Sequence, residues 1–300
     1  KAEKLVYAAP EDGPNGKAPH FAEVVLNDLY KEYGEERVTR SGFRVSTTLD
    51  ASLQASAMAA VEKQMSYIQR NGGSNASVVA IDPTNGYLRA LVGSADYNNP
   101  EFGKVNMATT PRQPGSSIKP LYYAEALQKG LITPATILHD KPTDFGGYKP
   151  QNADRRFRGD ISVRNAISQS LNIPSVEVMQ ELGVKSSVSA LKRLGLSTID
   201  EKADYGLSLA LGSAEAKLTE ITNAYASFVN SGKQYEITTI TKIVDKYEKQ
   251  VFKAKDPSSK QVLSEDAAFL ISDILNDESA RAPIFGSSLN TNGYDVAVKT

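Results

Sequence analysis

The sequence predicts an α+β fold, an antiparallel sheet covered by helices, preceded by a small α/β unit. Three observations predict it. Strand-like runs at 76–94, 235–253 and 294–298 stand at both ends of a mostly helical middle instead of alternating with helices, which argues against βαβ units. The turn Pro83-Thr84-Asn85-Gly86 joins two such runs directly, and Asn-Gly suits the positive φ of a tight hairpin. Asn71-Gly72-Gly73 is a helix-stop signal after which the pattern changes, so residues 1–72 are expected to form a tether and linker unit and 73–300 the main domain.

Element by element, the first 16 residues carry two Pro, two Gly and no periodicity and read as a tether. From Pro19, Phe21, Val24, Val25 and Leu29 recur at helical steps as far as Gly34. Phe43 to Asp50 is β-branched and alternating, a strand. Asp50 is placed to cap a long helix with Leu53, Ala57, Ala60, Val61, Met65 and Ile68 on one face. After the hairpin, helices are expected from Ser116 to Gly130, Ser162 to Ser170, Pro174 to Gly183, Val184 to Leu194 and Lys217 to Asn230. A polar hairpin (Tyr235 to Val244, Gln250 to Lys253), a Ser264-capped helix through Leu275 and a strand over Tyr294 to Val298 complete the chain.

Composition removes several kinds of chemistry. The 300 residues are 40% apolar and 23% charged, enough to bury a core, and 34 Lys+Arg against 35 Asp+Glu leave no field that would favour nucleic acid. No run reaches the roughly 18 apolar residues of a membrane span, and the first residues have no secretory pattern, so an anchor or export signal is expected outside this chain. Zero cysteines exclude disulfides, thiolate metal sites and a Cys nucleophile. With only His20 and His139, no His-rich metal site and no Ser-His-Asp triad is expected, and neither is a cofactor.

A serine activated by a lysine one helical turn away is the remaining candidate, since Ser-x-x-Lys puts both side chains on one helix face. The pattern alone says little, because 29 serines and 22 lysines produce about two chance occurrences, and two are present. Ser189-Ala190-Leu191-Lys192 lies in an amphipathic helix whose apolar side is Val188, Leu191 and Leu194, with Lys192 and Arg193 read as solvated. Ser116-Ser117-Ile118-Lys119 follows Pro114-Gly115 and precedes Pro120, at a helix N-terminus. There, free N–H groups and the helix dipole stabilise negative charge beside the serine oxygen. Local context leaves open whether Ser116 is a nucleophile or a plain N-cap.

RQPGSSIKP resembles the active-serine motif of penicillin-binding proteins, whose set is Ser-x-x-Lys, Ser-x-Asn and Lys-Thr-Gly. Ser170-Leu171-Asn172, within RNAISQSLNIPSV, resembles the second motif as it stands in the bifunctional, class A members. Ser288-Leu289-Asn290, 11 residues before Lys299 in an Asn/Gly/Ser-rich loop, is set aside. Lys299-Thr300 after YDVAV resembles the start of the third motif. FRVSTTLDASLQ, GYKPQNADRRFRGDISVRNAI and SLALGSAEAKLTEITNAYASFVNSG resemble further stretches of the same family in the same order.

The resemblance implies the penicillin-binding protein/serine β-lactamase-like transpeptidase fold, with further strands after Thr300. It implies a D,D-transpeptidase that cross-links peptidoglycan stem peptides ending in D-Ala-D-Ala through an acyl-enzyme on Ser116, and that β-lactam antibiotics acylate. Lys119 would be the base, which requires its pKa to fall from the usual value of about 10.4 through burial and a second cation, Lys299. Ser170 would relay a proton, Asn172 would bind the substrate amide and orient Lys119, and Lys299 with Thr300 would hold the substrate carboxylate. The Ser116 N–H would be half of the oxyanion hole, its other half coming from backbone just past the third motif. Implied partners are the glycosyltransferase domain of a longer parent chain and other cell-wall synthesis proteins. The implied location is the extracytoplasmic face of the bacterial cell membrane, reached through an N-terminal anchor.

Other readings have discriminating tests. A D,D-carboxypeptidase would resolve the acyl-enzyme with water, and a β-lactamase would turn over a chromogenic β-lactam rapidly. A non-catalytic wall-peptide binder would take up no covalent penicillin. Elsewhere the plain readings stand: Tyr122-Tyr123 as core and groove wall, Arg155, Arg156 and Arg158 as a solvated or peptide-facing loop, Asp82 as a turn residue. Tyr205 to Ser213 is a candidate border of the substrate groove.

Overall fold

The computed structural model describes residues 17–291 and 293–300; the tether expected over the first 16 residues lies outside them. The chain divides into two compact units interleaved in sequence. One takes residues 17–82, 87–109 and 237–256, and the other 83–86, 110–236 and 257–300. The spatial division therefore does not follow the expected cut at 72/73: the hairpin after Gly73 belongs with the helices before it, joined by residues 237–256 from far along the chain.

In the first unit, α1 (Pro19–Tyr33) starts with Pro at its first position and is followed by a short α2 (Glu35–Ser41) that the sequence pattern does not resolve. β1 (Arg44–Thr47) leads to α3 (Ala51–Arg70), whose Asp50 cap accepts from the N–H groups of Ser52 and Leu53 at 2.9 Å. β2 (Val78–Ile81) and β3 (Leu88–Val92) form the expected antiparallel hairpin, with a register shift between Ala80 and Ile81. The shift has a packing consequence: Leu88 and Leu91 join Phe21, Val25 and Leu29 of α1, while Ala90 and Val92 join Ala57 and Val61 of α3. The buried face of α3 also differs from the expected stripe. Leu53 is exposed and Gln54 is buried, because the Gln54 amide brackets a strand residue, donating to the Leu91 carbonyl at 3.1 Å and accepting its N–H at 2.8 Å.

The expected long hairpin at 235–253 is split. β6 (Lys233–Tyr235) pairs in the second unit with β9 (Ser259–Gln261), whereas β7 (Ile240–Val244) pairs in the first with both β1 and β8 (Gln250–Lys253). Every named ladder is antiparallel, in one three-stranded and three two-stranded sheets among the described residues. The fold class is thus α+β, although the strands form several small sheets.

The second unit is built around α4 (Lys119–Gln128), entered through a 3-10 turn at Gly115–Ile118. Residues Lys119 to Leu127 are all buried, so α4 is a core helix, apolar on every side but for two charges. Tyr122 and Tyr123 are wholly interior rather than groove wall. A second hairpin, β4 (Ile137–Asp140) with β5 (Gly159–Ser162), has no counterpart in the sequence reading; it leads into α5 (Val163–Ser168), capped by Ser162. α6 (Ile173–Leu182), α7 (Val184–Arg193) and α8 (Leu218–Ala226) follow close to expectation. Arg193 is not merely solvated: it pairs with the buried Glu125 of α4 and donates to the Val262 carbonyl at 2.9 Å. Arg158 likewise pairs with Asp154 at 2.6 Å.

α9 (Glu265–Asn276), capped by Ser264, and α10 (Glu278–Phe285) precede the last segment. The strand expected over Tyr294 to Val298 does not form. A strand needs a hydrogen-bonded neighbour along its length, and this segment is instead tied to the end of α9, through Val298 N–H to the Leu275 carbonyl at 2.9 Å and Asn276 to Asp295 at 2.6 Å.

Candidate active site

All six residues singled out by sequence lie in the second unit. Gly115, with φ +56°, makes the turn into the helix, and Ser116 follows it inside the 3-10 turn. Ser116 is not the helix N-cap: no side-chain cap bond exists at this end, and its hydroxyl has no hydrogen-bond partner among the described residues. Neighbouring groups fix the turn instead. Ser117 Oγ donates to the Pro114 carbonyl at 2.7 Å, and the Tyr225 hydroxyl donates to the Ser117 carbonyl at 2.6 Å. Gly212 packs directly on Gly115; a Cβ there would lie 2.3 Å from the Gly115 oxygen and 2.5 Å from its nitrogen. Part of the 205–213 stretch thus supports the serine turn.

One turn further along, Lys119 is 0% exposed. Its Nζ donates to the Ser170 carbonyl at 2.8 Å, the Leu171 carbonyl at 3.0 Å and Asn172 Oδ1 at 2.8 Å. Burial, reinforced by the charge of Lys299, holds the Lys119 amine well below the usual lysine value. The three acceptors match the three hydrogens of an ammonium, while the dry surroundings disfavour its charge, and the neutral amine can donate to only two of them. That is the balance a proton acceptor needs.

The loop Ser170–Asn172 is set between α5 and α6 by Ser170 at φ +59° and by Leu171 N–H bonding back to Ala166. Ser175 Oγ donates to the Leu171 carbonyl at 2.6 Å, and the Tyr123 hydroxyl lies 3.2 Å from that Oγ, so α4 and this loop share a bonded frame. Lys299 Nζ donates to Ser170 Oγ at 2.8 Å, and Ser170 Oγ donates to the Thr300 main-chain oxygen at 3.0 Å. Burial lowers Lys299 to about 7. The structure therefore joins Lys119, Ser170, Asn172, Lys299 and Thr300 in one hydrogen-bonded network, with Ser116 one turn before Lys119.

By contrast, Ser189 and Lys192 are exposed on α7. Among the described residues no cluster of three or more His, Asp or Glu could hold a metal. Sequence reasoning passes over Asn152, whose Oδ1 accepts the Asn172 N–H at 2.8 Å, and Gly212; both lie in stretches noted for resemblance, where nothing local marks an individual role.

Comparison with known proteins places the chain in a family. The penicillin binding protein transpeptidase domain family matches residues 76–300. Penicillin-binding protein 1C of Escherichia coli (strain K12) is 32% identical over 284 residues, 94% of this chain and 33% of that protein. Penicillin-binding protein 2D of Bacillus subtilis (strain 168) is 33% identical over 271 residues, 86% of this chain and 37% of that protein. The chain thus spans about a third of the length of these relatives. Among solved structures, PonA1 of Mycobacterium tuberculosis in complex with penicillin V superposes with a TM-score of 0.77 at 24% identity, over 92% of this chain and 73% of that one. Penicillin-binding protein 1A of Haemophilus influenzae gives 0.76 at 22%, over 98% and 61%, a likeness of fold. With a family match over most of its length and the motifs gathered at one site, the chain belongs to the penicillin-binding protein transpeptidase family.

Proposed function

We propose that this chain is the acyl-transferring part of a D,D-transpeptidase that cross-links peptidoglycan. Ser116 Oγ attacks the carbonyl of the penultimate D-alanine in a stem peptide ending in D-Ala-D-Ala, passing its proton to the neutral Lys119 amine. The C–N bond breaks, D-alanine leaves with a proton delivered through Ser170, and an ester on Ser116 remains. An amine from a second stem peptide then attacks the ester, loses its proton to the same relay and forms the cross-link, freeing Ser116. Asn172 Nδ2 has a second hydrogen to offer the substrate amide beside its bond to the Gln151 carbonyl at 2.7 Å. Lys299 and Thr300 take the terminal carboxylate, and the Ser116 N–H supports the developing oxyanion.

The observation that carries this reading is the state of Lys119, wholly buried with three acceptors and a lowered pKa, one turn from a serine hydroxyl that has no hydrogen-bond partner among the described residues. A β-lactam presents the same carbonyl and carboxylate and leaves an acyl group that water removes slowly. The longer relatives suggest a parent with a glycosyltransferase domain, held at the outer face of the cell membrane among other wall-synthesis proteins. No helix among the described residues is long and apolar enough to cross a membrane, so the anchor would lie elsewhere in that parent.

Incubation with fluorescent penicillin and mass mapping of the labelled peptide tests the proposal. A stable adduct on the Ser116 peptide is expected. An adduct elsewhere, or no adduct, overturns it, and rapid release of hydrolysed penicillin assigns the site to a hydrolase.

A further inference from the structure

Behind the Ser170–Asn172 loop lies a buried polar pair that the chemistry above does not use. Asp140, at the end of β4, is 0% exposed, and Asn152 is 4% exposed. Asn152 Nδ2 donates to both Asp140 oxygens, at 2.8 and 3.0 Å, and to the Arg156 carbonyl at 2.8 Å. The carboxylate also accepts the Arg158 N–H at 2.9 Å and lies 3.9 Å from the Arg158 guanidinium. On its other side, Asn152 Oδ1 accepts the Asn172 N–H at 2.8 Å, and Asn172 Oδ1 in turn accepts from Lys119.

We infer that Asp140 and Asn152 are positioning residues for acylation, fixing Asn172 and through it the Lys119 amine. The argument rests on the transpeptidase reading and on the two-ended chemistry of a carboxamide. A carboxylate only accepts, so Asp140 obliges Asn152 to present Nδ2 to it and Oδ1 to the Asn172 N–H. The substitution Asp140→Asn breaks that rule. The Arg158 N–H would hold the oxygen of the introduced carboxamide where Oδ2 now sits, leaving its NH2 facing the NH2 of Asn152. Asn152 then either keeps two donors in contact or flips and presents NH2 to the Asn172 N–H. In the first case the introduced NH2 has no acceptor; in the second the Asn172 N–H loses its acceptor and the Arg156 carbonyl its donor; either way the loop bearing Asn172 shifts.

The test measures β-lactam acylation of the intact protein, separating binding from the acylation step, in Asp140→Asn, Asn152→Asp and the double variant. Asp140→Asn is expected to slow the acylation step about 10- to 100-fold, with a smaller loss of β-lactam binding through the displaced Asn172 amide contact. Asn152→Asp, with two carboxylates facing each other, is expected to be slower still. The double variant exchanges the two groups: the carboxamide now at position 140 donates to the carboxylate now at position 152, which still accepts the Asn172 N–H, and the donor that the Arg156 carbonyl loses is lost equally in Asn152→Asp, so it cancels between the two. It is therefore expected to acylate faster than Asn152→Asp alone. Independent structural damage predicts the opposite, a double variant slower than either single one. If Asn152→Asp yields no folded protein, recovery of folded, acylating enzyme in the double variant is the same readout, and its failure overturns the inference. Unchanged acylation in Asp140→Asn overturns it too. The control is wild-type labelling at Ser116: its absence sinks the transpeptidase reading, whereas its presence without rescue sinks only the positioning role.

Discussion

Ser116–Lys119 and Ser189–Lys192 share residue types and spacing, yet their lysines stand in opposite surroundings. Lys119 is sealed in the core helix of its unit and bonded to three acceptors, and its amine is pushed toward neutrality. Lys192 is exposed, and its amine reaches the Ser197 carbonyl at 3.5 Å. One amine is sealed from water among fixed acceptors and the other lies open to solvent. The difference teaches that Ser-x-x-Lys acquires chemistry from what surrounds the lysine and not from the spacing itself.

The sharpest break of this comparison is removal of each hydroxyl. Ser116→Ala is expected to abolish covalent labelling by fluorescent penicillin, whereas Ser189→Ala should label as wild type. Labelling that survives Ser116→Ala, or is lost in Ser189→Ala, would reverse the assignment. The lysines come next. Lys119→Gln keeps hydrogen-bonding capacity without basicity and should slow acylation about a hundred- to ten-thousand-fold, the usual range for loss of a general base. Lys192→Gln should change neither acylation nor, beyond about 0.5 kcal/mol, stability.

A smaller effect is expected from the backbone that presents the serine. Gly212 has φ +78° and faces Gly115, with room for no Cβ. Gly212→Ala should displace the Ser116 turn and slow acylation about 10- to 100-fold, with a moderate fall in Tm from the added left-handed strain. No glycine supports Ser189 in this way, since it lies in mid-helix on α7. Wild-type acylation in Gly212→Ala would show that the turn absorbs the methyl group.

How much of this was legible in the sequence follows from the same physics. Asp50, Ser162 and Ser264 announced their helices because a cap is a local device, one side chain meeting an N–H two or three residues on. The three motifs were legible through their flanks, whose resemblance to one family in one order set Ser116 and Ser170 apart from the chance copies at Ser189 and Ser288. What stayed hidden was non-local. Tyr235 reads as continuous with Ile240, and only tertiary partners decide that β6 pairs with β9 while β7 joins β1. Leu53 loses its expected place to Gln54 because a strand edge needed a donor and an acceptor. Tyr294 to Val298 alternates like a strand but has no ladder to join among the described residues. At the site, Asn152 and Gly212 are ordinary residues until the fold sets one against Asn172 and the other against Gly115.

The finest test of the comparison is pH, because it separates the two causes that lower Lys119. On the proposed mechanism, acylation needs neutral Lys119 and, for an anionic carboxylate, charged Lys299. The second-order acylation rate should therefore rise with pH through the lowered Lys119 value and fall as pH passes the Lys299 value of about 7 in the free protein, giving a bell. Of the two causes acting on Lys119, burial is the larger and the Lys299 charge the smaller. Lys299→Gln removes only the second, so Lys119 holds its proton to higher pH and the acid limb moves upward. The falling limb should vanish with the titrating group. The height of the profile will drop as well, because a carboxylate contact is lost, so the readout is the position of the limb and not the rate. An acid limb that stays in place would show that Lys119 is held neutral by its dry surroundings alone, and a limb that moves downward would mean that another group sets it.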